Sequence, residues 1–147
     1  MIVLHWLSFV VAFIVVVVDQ ATKNLVLRSM YPSQSIVLIE DVLHLTYVQN
    51  TGIAFGLFQN ANAVFLVLSL AILFGIIYAM LQTPHEQRPL TIFFGLLLGG
   101  AMGNIIDRFF LGYVVDFIDF RIWPVFNVAD SAITVSIIGL IILLWNK

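Results

Sequence analysis

Four long apolar stretches dominate the chain, at residues 1–18, 61–81, 90–106 and 128–145. A helix needs about 20 mostly apolar residues to cross the hydrocarbon core, with a range of about 17 to 25. Each stretch meets or approaches that length, the last with Asp130 near its start. Each is uninterrupted and too long for a barrel strand, so helices are the expected spanning elements. The first run, 2–18, has no Lys or Arg before it and ends in Val-Val-Val-Val-Asp-Gln without a small-residue cleavage site. That predicts a retained span rather than a removed signal peptide.

The connections are unequal. Residues 82–89 form a short polar link flanked by prolines, whereas 19–60 and 108–126 are long. In the first long connection Leu43, Leu45 and Tyr47 alternate with polar or smaller groups, a period that predicts a strand. Val114-Val115-Asp116-Phe117-Ile118-Asp119-Phe120 in the other long connection reads the same way. The expected fold is one membrane domain spanning 1–147: four transmembrane helices plus a small β-sheet at the membrane surface. With four spans, both long connections lie on one side, and the termini and the short link lie on the other. Asp19, Glu40, Asp41, Asp107, Asp116, Asp119 and Asp130 fall on the first side and only Glu86 on the second. A membrane protein that gathers its carboxylates at one face is expected to do its chemistry there.

Composition supports the membrane assignment: 62% of the 147 residues are hydrophobic and 10% charged, against about a quarter charged in soluble domains. The net charge of -2 argues against nucleic acid as a partner. The absence of cysteine excludes a disulfide frame, a thiolate metal site and a cysteine nucleophile. His5, His44 and His85 are scattered without an HExxH pattern, so a zinc peptidase has no support. Ser29-Met30-Tyr31-Pro32 looks like the serine motif of type I signal peptidases, but no lysine lies between Asn24 and Asn146 to activate the serine. Gly95, Gly99 and Gly103 line one face of the third span and predict close helix packing. Orientation is ambiguous: Lys23, Arg28, Arg108 and Arg121 lie on the acidic side against Arg88 and Lys147 on the other. A bare positive-inside count would turn the acidic side to the cytoplasm.

Five polar groups carry candidate chemistry. Asp19 and Lys23 are one helical turn apart, which by itself reads as a surface ion pair. Asn50-Thr51-Gly52 follows the first strand, either as a turn or as a surface offering hydrogen bonds to an extended peptide. Asn104, Asp107 and Arg108 share a helical face, where Asp107 reads first as a structural ion pair, in part with Arg108. Asp116 lies in an apolar strand with no neutralising neighbour, so burial would raise its pKa unless it faces solvent. Asn127 and Asp130 open the last span as a cap and third-position acid, a placement that also favours the ionised form of Asp130. Two carboxyls with opposed biases, sharing a proton and holding a water, suit an aspartic peptidase.

In order, the motifs are Asp19-Gln-x-x-Lys23, Asn50-Thr-Gly52-x-Ala54-Phe55, Gly103-Asn104-x-x-Asp107-Arg108, Val114-Val115-Asp116-Phe117 and Phe126-Asn127-x-Ala129-Asp130. This series resembles the lipoprotein signal peptidase (signal peptidase II) family across nearly the whole chain. The resemblance implies catalytic Asp116 and Asp130. It also implies substrate-binding or supporting roles for Asp19, Lys23, Asn50, Gly52, Asn104, Asp107, Arg108 and Asn127. The implied substrates are prolipoproteins whose lipobox cysteine carries diacylglycerol, cleaved on the N-terminal side of that cysteine. Membrane lipid and the inhibitor globomycin are implied partners, and no metal or other cofactor is implied. The implied location is the bacterial cytoplasmic (inner) membrane, with the active side periplasmic or extracellular and both termini cytoplasmic. Two other readings compete. A transporter would place ionisable groups through the membrane depth, and the spans carry none in their middle. A non-catalytic scaffold would tolerate Asp116→Asn and Asp130→Asn.

Overall fold

A computed structural model describes residues 5–52, 62–83 and 88–145. Its elements are α1 (His5–Ser29), β1 (Ser35–Ile39), β2 (Leu43–Asn50), α2 (Asn62–Gln82), α3 (Arg88–Phe110), β3 (Val114–Asp119) and α4 (Val128–Trp145). All four helices are long and apolar enough to cross a membrane. The stretch from Phe55 to Asn60, and with it Ala54-Phe55 of the second motif, lies outside the described residues.

The first and third helices outrun their apolar stretches. At 1.5 Å per residue, the 25 residues of α1 reach about 37 Å, beyond a hydrocarbon core of about 30 Å. Its last turns are therefore helix rather than loop, and Asp19, Lys23 and Arg28 all stand on it. α3 likewise runs to Phe110, so Asn104, Asp107 and Arg108 all stand on it. Pro89 sits in its first turn, where a missing N–H costs little. At its other end the Leu111 N–H donates to Asp107 O (2.8 Å), and Gly112 takes the left-handed conformation (φ 83°) that ends many helices.

α3 is the hub. It packs against α1, α2 and α4, and 56% of its apolar window is buried against at most 28% for any other helix. The glycine face supplies the closest approach. A Cβ on Gly99 would lie 2.7 Å from Ala12 O, and one on Gly103 would lie 2.5 Å from Asp19 Oδ2, so α1 sits directly on this stripe. Leu73, Ile76 and Met80 of α2 pack with Leu90, Phe94, Leu98 and Ile105 of α3. The outward faces, with Phe13, Ile14, Phe74 and Ile141 exposed, suit contact with acyl chains.

The three strands form one antiparallel sheet in the order β1-β2-β3. β2 and β3 occupy the two stretches that alternation predicts. β1 is a third strand at the sheet edge, exposed at all five positions. The sheet rests on the end of α1 through Val26, Met30, Tyr47, Val115 and Phe117. The approach to α4 is pinned to β3, because Phe126 O accepts from Phe117 N (3.0 Å) and Ile118 N (2.8 Å), and Phe126 N donates to Ile118 O (3.0 Å). Asn127 is thereby delivered beside Asp116.

Candidate active site

Asp116 and Asp130 stand on separate elements and are joined by two amides. Asn127 Nδ2 donates to Asp116 Oδ1 at 2.7 Å and to Asn104 Oδ1 at 3.2 Å. Asn104 Nδ2 donates to Asp130 Oδ1 at 2.8 Å. The capping box predicted at α4 forms in both directions: Asp130 N donates to Asn127 Oδ1 (2.9 Å), and Asn127 N donates to Asp130 Oδ2 (3.3 Å). The cap and the hydrogen-bonded link to Asp116 and Asn104 thus share the same pair of residues. Because Asp130 N occupies Asn127 Oδ1, the Asn127 amide must aim its Nδ2 toward Asp116.

Asp116 is buried in β3, as its apolar strand predicts, and Asp130 is half-buried at the first turn of α4. The other Asp116 oxygen accepts from Asn50 Nδ2 at 2.9 Å. Asn50 is oriented in turn by the Gly52 N–H, which donates to Asn50 Oδ1 at 2.8 Å. Gly52 has φ 87°, and a Cβ there would strike the Phe65 ring, so the position needs glycine twice over. Burial pushes the Asp116 carboxyl up to about 6, against the hydrogen bond from Asn50, and the nearby charge of Asp130 adds to the rise.

The reading of Asp19 and Lys23 as a surface pair is overturned. Asp19 is 0% and Lys23 1% exposed, because α3 closes over them at Gly103. Asp107 also finds a different partner from Arg108. Adjacent helical residues point about 100° apart, and Lys23 reaches Asp107 Oδ2 at 2.9 Å while holding Asp19 Oδ2 at 2.8 Å. Gln20, inside the first motif, also belongs to this cluster, a role its spacing alone does not mark. Its Nε2 donates to Asp107 Oδ1 (2.9 Å), Asp19 Oδ2 (3.2 Å) and Gly103 O (3.2 Å). Among the described residues, no group of three or more His, Cys, Asp or Glu side chains could hold a metal ion.

Two open spaces meet at Arg108. A cleft of about 460 Å³ is lined by Asn50, Gly52, Phe65, Arg108 and Asp116. A mostly apolar groove of about 360 Å³ runs between α2, α3 and α4 past Ile72, Leu97, Ala101, Ile133, Asn104 and Arg108. Asn62, at the start of α2, donates to Arg108 O at 3.0 Å and so holds the end of α3 between the two spaces.

Residues 11–146 match the family model described as "Signal peptidase (SPase) II". A lipoprotein signal peptidase of Halothermothrix orenii is 44% identical over 139 residues, covering 95% of either chain. One of Caldanaerobacter subterraneus subsp. tengcongensis is 45% identical over 133 residues, covering 90% of this chain and 91% of the relative. Two solved structures, both titled as a bacterial membrane enzyme determined by the in meso method, superimpose with TM-scores of 0.86 and 0.87. They share 34% and 35% identity and cover 95% and 93% of this chain, and 87% and 91% of theirs.

Proposed function

The chain belongs to the signal peptidase II family, and from that premise we propose that it cleaves lipoprotein signal peptides with Asp116 and Asp130 as an aspartic dyad. The observation that carries this reading is the hydrogen-bonded relay Asp116–Asn127–Asn104–Asp130, which links two carboxylates from different elements through two amides.

In the proposed reaction a water lies between the two carboxyls. Asp130 takes a proton from it as the oxygen attacks the scissile carbonyl carbon. Asp116, in its protonated form, donates to the carbonyl oxygen as negative charge develops there. The proton held by Asp130 then passes to the departing nitrogen, the C–N bond breaks, and Asp116 recovers its proton from a hydroxyl of the collapsing tetrahedral intermediate. The water oxygen ends in the new carboxylate, and a free amine is left on the cysteine side. Burial supports the role of Asp116, because it favours the neutral form that can donate.

The substrate is a precursor whose lipobox cysteine already carries diacylglycerol, cut on the N-terminal side of that cysteine. Its acyl chains stay in the bilayer, so the scissile bond must lie at the interface. The apolar groove between α2, α3 and α4 suits the membrane-embedded part. The cleft at Asn50, Gly52 and Asp116 suits the extended peptide, with Arg108 at the junction. Globomycin would compete for the same space. The sheet end faces the periplasm or cell exterior, and the termini face the cytoplasm. A transporter reading gains nothing from the structure, since the ionisable network lies at one end of the bundle.

Asp116→Asn and Asp130→Asn, purified in vesicles, are expected to lose cleavage of lipidated precursor by about 10²–10⁴-fold while remaining inserted and folded. Cleavage by the double variant at the parent rate would overturn the dyad.

A further inference from the structure

Beyond the relay, each aspartate of the dyad is preceded in the chain by a residue whose backbone N–H is held by a buried carboxylate. Ala129 N, one residue before Asp130, donates to Asp19 Oδ1 at 2.9 Å. Val115 N, one residue before Asp116, donates to Asp107 Oδ2 at 2.9 Å. Both carboxylates are held by the same ammonium group, at 2.8 Å and 2.9 Å from Lys23 Nζ. The third Lys23 N–H goes to Asn104 Oδ1 at 3.0 Å.

We infer that Lys23, through Asp19 and Asp107, is a positioning residue that sets the separation and aim of Asp116 and Asp130. This inference rests on the dyad reading above. Among the described residues no hydrogen bond or ion pair joins α1 to either aspartate, yet its lysine is the common point from which both of their segments are hung. One arm runs Lys23–Asp19–Ala129 to α4, and the other runs Lys23–Asp107–Val115 to β3.

The third contact sets polarity. A lysine is a donor only, so Asn104 must turn its oxygen toward Lys23 and its Nδ2 toward Asp130. That same oxygen receives Asn127 Nδ2. An Asn104 amide turned the other way would present a donor to Lys23 and an acceptor to Asp130. The lysine thus excludes the orientation that would leave the Asp130 carboxylate facing an oxygen.

All three N–H donors of Lys23 are used, and Lys23, Asp19 and Asp107 are each at most 2% exposed. This leaves no donor on Lys23 free for substrate. Buried ion pairs of this kind are weak evidence for stability, because desolvation offsets much of the attraction. Specification of geometry is the better account of their placement here.

The test is steady-state cleavage of lipidated precursor by purified Asp19→Asn and Asp107→Asn in vesicles, beside Asp116→Asn and Asp130→Asn. Each of the first two leaves one carboxylate on Lys23. The expected result is a fall in kcat of about 10–100-fold with KM unchanged, since small misplacements of reacting groups carry costs of that size. The two limbs of the kcat–pH profile should also draw together, because carboxyls that move apart couple less strongly. Parent kcat and parent pH profile in both variants, with a lowered Tm alone, would overturn the inference and leave the dyad standing. So would a rise in KM at unchanged kcat, which would mark a substrate contact. Full turnover by Asp116→Asn and Asp130→Asn would instead sink the dyad reading itself.

Discussion

At the end of the bundle away from the sheet, α3 is fastened by hydroxyl groups. Ser8 Oγ donates to Thr91 O at 2.7 Å, and Ser136 Oγ donates to Phe93 O at 2.6 Å. Gly95 lets α1 in and Gly139 makes room for the Phe93 ring. At the sheet end the same three helices are fastened by a lysine, two aspartates and three amides. Both ends solve one problem, the close packing of α1 and α4 on α3. A neutral hydroxyl bond to a backbone carbonyl solves it locally with little desolvation. The charged network costs far more to bury, and it differs in reaching the backbone beside Asp116 and Asp130. Assembly alone needs only the first kind of contact, so the second kind points to geometry under tighter control.

The largest separation between the two ends should come from pH. Asp116 has its carboxyl raised from 3.8 to about 6, and the proposed mechanism needs it protonated. kcat/KM should therefore fall about tenfold per unit above pH 6, to about one hundredth at pH 8. A rate profile flat from pH 6 to pH 8 would remove Asp116 from the proton-holding role. The same shift has a sign for stability. The folded protein binds this proton more tightly than the unfolded chain. Its contribution is therefore fully present below about pH 4 and is lost as pH rises to about 6. Denaturation midpoints of the parent and Asp116→Asn should diverge across that window.

Next in size is a contrast within the glycine stripe. A methyl at Gly103 would press on Asp19 Oδ2, and one at Gly95 would press on Ser8 O and Val11 Cβ at 2.7 Å. Both overpack α1 against α3, at about 1–3 kcal/mol each. Gly103→Ala should also displace a carboxylate of the positioning network and lower kcat about tenfold or more. Gly95→Ala should leave cleavage per folded molecule unchanged. Equal kcat for the two variants, measured beside Tm, would erase the difference between the ends.

The stripe also shows what the sequence could and could not reveal. Its packing role was legible from spacing, as were the four helices, β2, β3 and the cap at Asn127. β1 was not legible, because Ser-Ile-Val-Leu-Ile lies exposed on the sheet edge and so has no alternation to read. The candidate site was legible as residues and not as partners. Asp19 and Lys23 look like a solvated helix-end pair until a glycine eighty residues away brings α3 over them. Asp107 looks paired to its neighbour Arg108, but helical geometry turns it toward α1. The contacts that matter most, Asp19 to Ala129 N and Asp107 to Val115 N, use backbone groups, which carry no mark in a sequence at all.

A smaller effect belongs to the far end. Ser136→Ala removes the hydroxyl bond to Phe93 O, worth about 0.6 kcal/mol on average for such contacts between membrane helices. The carbonyl keeps its place in the helical ladder, so Tm should drop slightly and turnover should not change. A loss of turnover here would mean that the far end also controls the site.

The smallest effect concerns the corner after β3, where Arg121 adopts a left-handed conformation with φ 66°. Its guanidinium lies 3.3 Å from Asp119 Oδ2, but the side chain is half exposed. Asp119 is held below the usual carboxylate range first by Thr46, whose hydroxyl donates to it at 2.7 Å, and next by Arg121 N at 2.8 Å. Those two bonds do not need the arginine side chain. Arg121→Ala gives up an exposed pair of about 0.2–1 kcal/mol and keeps the unfavourable backbone angle. Arg121→Gly gives up the same pair but relieves the angle. The glycine variant should therefore melt at or above the temperature of the alanine variant, with parent turnover in both. The reverse order would show that the left-handed angle at this corner costs less than the chain freedom that glycine adds.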